Sequence, residues 1–157
     1  MENTYIEEKI YNISEYPNSD RIQWLKSQQW YTKEHEKLNS KFETFAPKTQ
    51  IVAHPNHHVP ISYILEHGQI VNLPVIEYQM ENSRCHDNCD KLYLHNDIVN
   101  VYTGFALSDD GLWRYHTWGY DLDEETNSTI SEFIVETTQE RLLYFGLKIY
   151  KDKKIKN

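Results

Sequence analysis

Cysteine is scarce in this chain, and its two cysteines, Cys85 and Cys89, stand only one helical turn apart. A network of disulfides therefore cannot hold the fold together. Apolar runs of membrane-spanning length are also missing, and the polar start from Met1 to Tyr5 does not resemble a signal peptide. We expect a soluble protein of a reducing compartment, the cytoplasm, that makes no contact with a membrane.

Positive charge is in short supply as well. Lysine and arginine total 16 against 24 aspartates and glutamates, which leaves a formal net charge of −8. Nonspecific binding to nucleic acid needs a basic surface, so we expect no nucleic-acid partner. The basic residues between Lys148 and Lys156 are interpreted as a solvated tail. With only five glycines and no glycine-rich phosphate loop, the chain gives no indication of a nucleotide or another cofactor.

What the chain does contain is enough apolar and aromatic material for a core. It has 157 residues, of which 39 % are hydrophobic and 13 % aromatic, so we expect one domain spanning residues 1–157. Within it we expect a helical or irregular part over about 1–80, a core carrying the chemistry over 81–150, and a basic tail over 151–157.

The order of the expected elements favours an α+β fold. A helix is predicted from Arg21 to about Phe42, and Ala46-Pro47 ends it. Short extended segments are expected near residues 50–53, 69–73 and 75–78. The segment over residues 61–66 is either a strand or a helix. A short helix is expected to begin at Cys85. Four β-like runs follow, over 98–107, 112–120, 129–135 and 142–150, with Asp110-Gly111 as a hairpin turn. We therefore expect N-terminal helices packed on an antiparallel sheet of about four strands.

Three residues in the C-terminal half have the chemistry of a thiol enzyme. Cys85 opens a helix, where unpaired N–H groups help to stabilise a thiolate. His116 lies in the β-like run Tyr115-His116-Thr117-Trp118, and Glu136 lies in the next run. The order nucleophile, base and orienting carboxylate predicts a cysteine-dependent hydrolase or acyltransferase.

These segments resemble the transglutaminase-like branch of the papain-like cysteine peptidase superfamily. The matching stretches are His116-Thr117-Trp118 and Val135-Glu136-Thr137-Thr138, and the resemblance runs from Cys85 to Thr138. It implies a papain-like core with the nucleophile at a helix N-terminus. It also implies attack of Cys85 on an amide or related acyl carbon, proton transfer by His116 and orientation of His116 by Glu136. The substrate would be a protein or a small molecule with such a bond.

Further side chains are candidates for the same site. Gln79 is spaced as the oxyanion glutamine of papain-like enzymes, and Asn82 and Asn88 are its rivals for that role. Arg84, beside the cysteine, is a candidate to lower its pKa. The residues expected to shape the substrate cleft are Trp118, Trp113, Tyr115 and Arg84.

Two other functions remain open at this point. The chain could be a binding module without catalysis on the same fold. It could also be a metal or redox protein, in which Cys89 is a resolving thiol or a metal ligand beside His86 or His95. The loop histidines His54, His57 and His58 are possible further ligands. We favour an inert, buried Cys89, a polar loop without metal and no bound metal ion.

Overall fold

The computed structural model describes residues 2–53, 59–124 and 130–153, and these form a mixed α+β fold. The helices are α1 (Glu2–Ile10), α2 (Ser19–Lys26), α3 (Lys33–Phe45), α4 (Ile61–His67) and α5 (Cys85–Leu94). The strands are β1 (Gln50–Val52), β2 (Gln69–Ile70), β3 (Val75–Glu77), β4 (Asn100–Leu107), β5 (Leu112–Glu124), β6 (Ile130–Glu136) and β7 (Leu143–Lys148). Over these described ranges, no helix is long and apolar enough to cross a membrane.

The strands form one sheet that is mostly antiparallel. Its order is β2-β7-β4-β5-β6-β3, and β1 pairs with β5 off this path. Strand β5 runs antiparallel to β6 with Gly119 opposite Val135. Two pairs are parallel, β1 with β5 and β3 with β6, and in the second of these Glu77 is the partner of Glu136.

The α+β class is confirmed, whereas the expected number of about four strands is wrong. The four long C-terminal strands lie where the sequence predicts them, and β1, β2 and β3 raise the number in the described chain to seven. These three have only three, two and three residues. Such short strands carry too little alternation to be recognised as members of a sheet.

The single long helix expected from Arg21 to Phe42 is wrong as well, since the chain forms α2 and α3 there. Helix α2 ends at the C-cap Ser27, and Thr32 begins α3 by accepting a hydrogen bond from the N–H of His35. The imidazole of His35 bonds back to the N–H of Thr32, which completes a capping box. A histidine in the third position replaces the usual glutamate or glutamine, so the sequence pattern hides this helix start.

The predicted turn between β4 and β5 is confirmed. Gly111 adopts a φ of 77°, a conformation that favours glycine. The N–H of Ser108 donates to the carbonyl of Leu112 over 3.1 Å, and this closes the hairpin. The turn sets the start of β5, the strand that later carries His116.

The chain divides into two compact units. Unit 1 comprises Met1–Val71, Gly104–Tyr115 and Arg141–Gly146. Its core is aromatic, with the ring of Phe42 stacked on Trp113 at 4.1 Å and edge-on to Phe145 at 5.0 Å. The indole N–H of Trp113 donates to the hydroxyl of Thr49 over 2.9 Å, which satisfies its only polar atom in the interior.

Unit 2 comprises Asn72–Thr103, His116–Glu140 and Leu147–Asn157. Helix α5 packs its apolar side on the sheet of this unit. The core cluster there consists of Cys89, Leu92, Ile98, Val101 and Val135. All three members of the predicted catalytic series belong to unit 2, whereas the expectation of a single domain over the whole chain stays a prediction.

Replacement of Phe42 by alanine is expected to destabilise the protein by about 3–5 kcal/mol, because it leaves a cavity beside Trp113 and Phe145. Chemical denaturation measures the change in the free energy of unfolding. The matched control is Tyr11→Ala, at a side chain that is 89 % exposed, and it should change stability by less than about 0.5 kcal/mol. Equal effects of the two substitutions would contradict this description of the core.

Candidate active site

Cys85 is the first residue of α5, and its thiol is only partly exposed. The sulfur makes a hydrogen bond with the imidazole of His116 and accepts a second one from the backbone N–H of Thr117. Thr117 is itself fixed, because its hydroxyl lies 3.0 Å from the hydroxyl of Thr103 on β4. The helix start and strand β5 thus hold the sulfur beside the ring.

The two nitrogens of the His116 imidazole have different partners. Nε2 lies 2.8 Å from Oε1 of Glu136 and donates to it, since a carboxylate can only accept. The hydrogen bond with Cys85 therefore uses the other nitrogen, Nδ1. This assigns the tautomer in which Nε2 carries the proton and Nδ1 is available to take one from the thiol.

Glu136 is completely buried at the end of β6, and both of its carboxylate oxygens have partners. Oε1 accepts from His116, while Oε2 accepts from the backbone N–H and from the hydroxyl of Thr138, each over 3.0 Å. A buried carboxylate held at three points cannot rotate freely. It therefore fixes the plane of the imidazole as well as its tautomer.

The electrostatics of the site shift the pKa of the sulfur downward and the pKa of the ring upward. Burial raises the pKa of Cys85, but the hydrogen bond and positive charge of His116 and the N–H of Thr117 lower it to below the usual 9.0. Burial lowers the pKa of His116, but its hydrogen bonds to Cys85 and Glu136 raise it to above 6.5. Opposite shifts of this kind are those that a thiolate and an imidazolium produce in each other.

Trp118, expected to wall the cleft, is completely buried and lies behind the imidazole. Its ring stacks on His116 with centroids 5.9 Å apart and on Tyr102 with centroids 5.7 Å apart. His116 stands two residues before Trp118 on β5, and Tyr102 belongs to the neighbouring strand β4. Trp118 therefore supports the position of His116 rather than lining an open surface.

Cys89, one turn along α5, lies in an environment different from that of Cys85. It is fully buried, and burial raises the pKa of its thiol, as do the charges of Cys85 and Glu136. Its sulfur makes a hydrogen bond with the side chain of Thr137. The arrangement fits an inert core thiol.

Asn88 connects three segments around the nucleophile. Its side-chain amide donates to the carbonyl of Glu81 over 2.8 Å and to the hydroxyl of Thr137 over 3.3 Å. Both amide hydrogens are therefore engaged, and the residue is 2 % exposed. Asn88 ties the turn before Cys85 and the residue after Glu136 to α5, and its suggested part in an oxyanion hole stays a prediction.

The other expected neighbours of Cys85 lie at the surface. The amide of Gln79 donates to the carbonyl of Met80 and to the side chain of Asn82, each over 3.0 Å. Arg84 pairs with Glu81 at 3.2 Å and with Asp87 at 3.6 Å. Gln79 is exposed and can turn toward a substrate, while the charge of Arg84 is directed to its two acidic neighbours.

The remaining candidates are the cleft residues Trp113 and Tyr115 and three loop histidines. Trp113 and Tyr115 belong to unit 1, where Trp113 is a core residue and the hydroxyl of Tyr115 accepts from the N–H of Val59. His54, His57 and His58 lie outside the described residues. In the described ranges, no three His, Cys, Asp or Glu side chains are grouped so that they could hold a metal ion.

Three threonines contribute to the site without having been predicted to do so. Thr117 acts through its backbone N–H, which no sequence pattern reveals. Thr137 and Thr138 stand in the motif that the sequence singles out, directly after Glu136. A hydroxyl two residues after a strand carboxylate can return a hydrogen bond to it, so Thr138 could have been recognised.

Comparison of the chain with family models, with curated proteins and with solved structures finds no match.

Alkylation with iodoacetamide is expected to modify Cys85 selectively, with a pH midpoint below that of an ordinary exposed cysteine in a short peptide. The reason is that His116 and Thr117 stabilise the thiolate, the form that reacts. The rate should rise with pH through that midpoint and then level off. Peptide mapping by mass spectrometry identifies the modified residue, and the rate at each pH gives the pKa.

The controls use the second thiol and the base. Cys89→Ala should leave the rate and the midpoint unchanged, since Cys89 is buried and its pKa is raised. His116→Gln should shift the midpoint upward because the cationic partner is lost. A midpoint in the unaltered protein at or above that of a cysteine-containing peptide measured in parallel, or equal labelling of both thiols in the folded state, would refute this description of the site.

Glu136→Gln is expected to lower the pKa of His116, because the carboxylate that stabilises the protonated ring becomes neutral. NMR titration of the His116 ring protons measures the shift. The matched control is Glu132→Gln on the same strand, where the carboxylate accepts from Tyr120 instead of from the imidazole. An unchanged His116 titration in Glu136→Gln would show that the carboxylate does not act on the ring.

Proposed function

We propose that this protein is a cysteine-dependent hydrolase or acyltransferase that cleaves an amide or related acyl bond through a thioester. One observation carries the proposal, the hydrogen-bonded line from Cys85 through His116 to the fully buried Glu136. A structural cysteine has no need of an imidazole whose other nitrogen is fixed by a carboxylate. A nucleophilic cysteine needs the imidazole to take its proton and the carboxylate to orient that imidazole.

In the first half of the proposed reaction, the thiolate of Cys85 attacks the acyl carbon and a sulfur–carbon bond forms. The electron pair of the carbonyl moves onto its oxygen. When that pair returns, the bond to the leaving group breaks, and His116 delivers the proton held at Nδ1 to the departing nitrogen or oxygen. Glu136 keeps the ring in place throughout by accepting from Nε2.

In the second half, water or an amine attacks the thioester. His116, now neutral, takes the proton of the attacking group at Nδ1, and Cys85 leaves as the thiolate. Water yields an acid, so that the protein acts as a hydrolase. An amine yields a new amide, so that it acts as an acyltransferase. The same three residues serve both outcomes.

The carbonyl oxygen needs hydrogen-bond donors while it carries negative charge. The position of Cys85 as the first residue of α5 places its own backbone N–H among those that the helix leaves without an internal partner. Gln79 supplies a second donor in this proposal, after its exposed amide leaves Asn82 and turns to the substrate. Asn88 would have to give up two hydrogen bonds to do the same.

We further propose that unit 2 has the catalytic core of the transglutaminase-like branch of the papain-like superfamily. The supporting features are a cysteine that begins a helix and a His-x-Trp segment on a strand antiparallel to the strand that carries the acidic residue. Glu136 takes the place of the aspartate usual in that branch, and its longer side chain still reaches Nε2 of His116.

Acylation by p-nitrophenyl acetate is expected to release a burst of nitrophenolate and leave an acetyl thioester on Cys85. Cys85→Ala should abolish the burst, because it removes the attacking sulfur. His116→Gln should slow it by about a hundredfold or more, because the general base is lost. Stopped-flow absorbance measures the burst, and mass spectrometry of the quenched protein locates the acetyl group.

Cys89→Ala serves as the control, since it removes the only other thiol but leaves the three-residue line intact. It should keep the full burst. A burst that persists in Cys85→Ala, or an acetyl group found on a residue other than Cys85, would rule out the proposed chemistry.

A further inference from the structure

Strand β3 lies at one end of the strand order in the described part of the sheet, next to β6. The N–H of Ile134 donates to the carbonyl of Pro74, and the N–H of Tyr78 donates to the carbonyl of Glu136, each over 2.8 Å. The even-numbered residues of this segment thus direct their backbone groups to β6. In a strand the intervening residues, Val75 and Glu77, direct theirs to the opposite edge.

Large apolar side chains accompany this edge. Ile76 is 51 % exposed and Tyr78 is 58 % exposed, and they stand two residues apart. Ile76 is the register partner of Val135, so both residues lie on the face of the sheet where α5 packs. Isolated exposed apolar residues are ordinary, but two in line along a sheet edge give an added strand cross-strand contacts.

The edge leads directly to the nucleophile. The N–H of Met80 still bonds to the carbonyl of Thr137, and Cys85 follows five residues later. Five residues span at most about 18 Å, so a peptide along β3 needs only a few more residues to reach the sulfur. Because the chain passes from β3 through Met80 to Cys85, a peptide that pairs parallel to β3 extends its carboxyl end in the direction of Met80, the side from which the chain continues to Cys85.

We propose that the edge of β3 binds an extended polypeptide segment of the substrate, whose carboxyl end carries the acyl group that Cys85 attacks. The occupant follows from the chemistry of the edge, since alternating N–H and C=O groups along a strand are matched by another extended backbone. Ile76 and Tyr78 favour apolar side chains at alternate positions of that segment. This inference rests on the proposed function, because it assigns a substrate to the same site.

The test removes one outward N–H without disturbing the pairing of β3 with β6. Glu77→Pro does so, and proline is tolerated at edge positions whose N–H faces away from the sheet. The matched control is Glu77→Ala, which keeps the N–H and removes the carboxylate that accepts from the N–H of Glu140. A second pair of variants, Ile76→Ser and Tyr78→Ser, tests the apolar contacts through exposed side chains.

Two chloromethyl ketones serve as probes, a long one of about ten residues with alternating apolar positions and a short one that carries a single residue. Each alkylates Cys85 by forming a sulfur–carbon bond and releasing chloride. We expect the long probe to react about tenfold faster or more. Glu77→Pro should slow only the long probe, by about fivefold, the effect of one lost hydrogen bond. Glu77→Ala, which also lacks the carboxylate but keeps the outward N–H, is the reference to which both Glu77→Pro rates are compared.

Failure of the docking proposal and failure of the proposed function give different results. Equal rates for the two probes, or a long-probe rate that Glu77→Pro leaves unchanged, would overturn the docking proposal even with normal iodoacetamide labelling of Cys85. If Cys85 lacks a lowered pKa, the proposed function fails. In that case, docking is measured separately by fluorescence anisotropy. The measurement uses the Cys85→Ala protein and a fluorescently labelled peptide that has no chloromethyl ketone.

That anisotropy measurement has the same two variants as its controls. Binding that Glu77→Pro weakens and Glu77→Ala preserves would support the edge as the docking surface. Absence of binding would overturn it. Sedimentation of the protein without peptide tests whether a second copy of the chain occupies the edge instead. A dimer that Glu77→Pro converts to a monomer would assign the edge to that second copy and overturn the peptide proposal.

Discussion

The arrangement of unit 2 depends on the hydrogen bond between His116 and Glu136, two ionisable groups that are almost entirely removed from water. A carboxylate in the interior is costly unless its oxygens are paired. Here His116 and Thr138 satisfy both oxygens. Because the ring must remain in place to pair with the carboxylate, its second nitrogen is directed at Cys85. The requirement to pair one buried charge thus also orients the imidazole toward the sulfur of Cys85.

Backbone geometry brings these residues together from distant parts of the sequence. Antiparallel pairing of β5 with β6 places Gly119 opposite Val135. The segment of β5 before Gly119, which carries His116, therefore lies beside the end of β6, which carries Glu136. Parallel pairing of β3 with β6 then leads the chain into the turn before α5. Asn88 holds that turn and the end of β6 through its two amide hydrogens. The sulfur is therefore positioned from two sides, by its helix and by the strand beneath it.

Sequence patterns could predict the parts of this protein that depend on long runs of residues. The four C-terminal strands and the turn at Gly111 have clear alternation and turn chemistry, and the order of Cys85, His116 and Glu136 is visible in the chain. Short β1 and β3 depend on pairing with strands far away in sequence, and α3 begins with an unusual histidine at its capping box. The role of the Thr117 N–H arises only when the chain is folded, since every residue except proline has that donor.

Cys85 and Cys89 lie on the same helix, but the pKa of the first thiol is lowered and that of the second is raised. They share one face of α5, and burial raises the pKa of both. Only Cys85 meets the imidazole of His116 and a strand N–H, whereas Cys89 is buried and meets the side chain of Thr137. The difference in pKa therefore follows from His116 and Thr117, which β5 supplies to Cys85, and the place of Cys85 as the first residue of α5 acts in the same direction. By the same reasoning, substitutions in the strands should alter the reactivity of the sulfur more than exposed substitutions along α5.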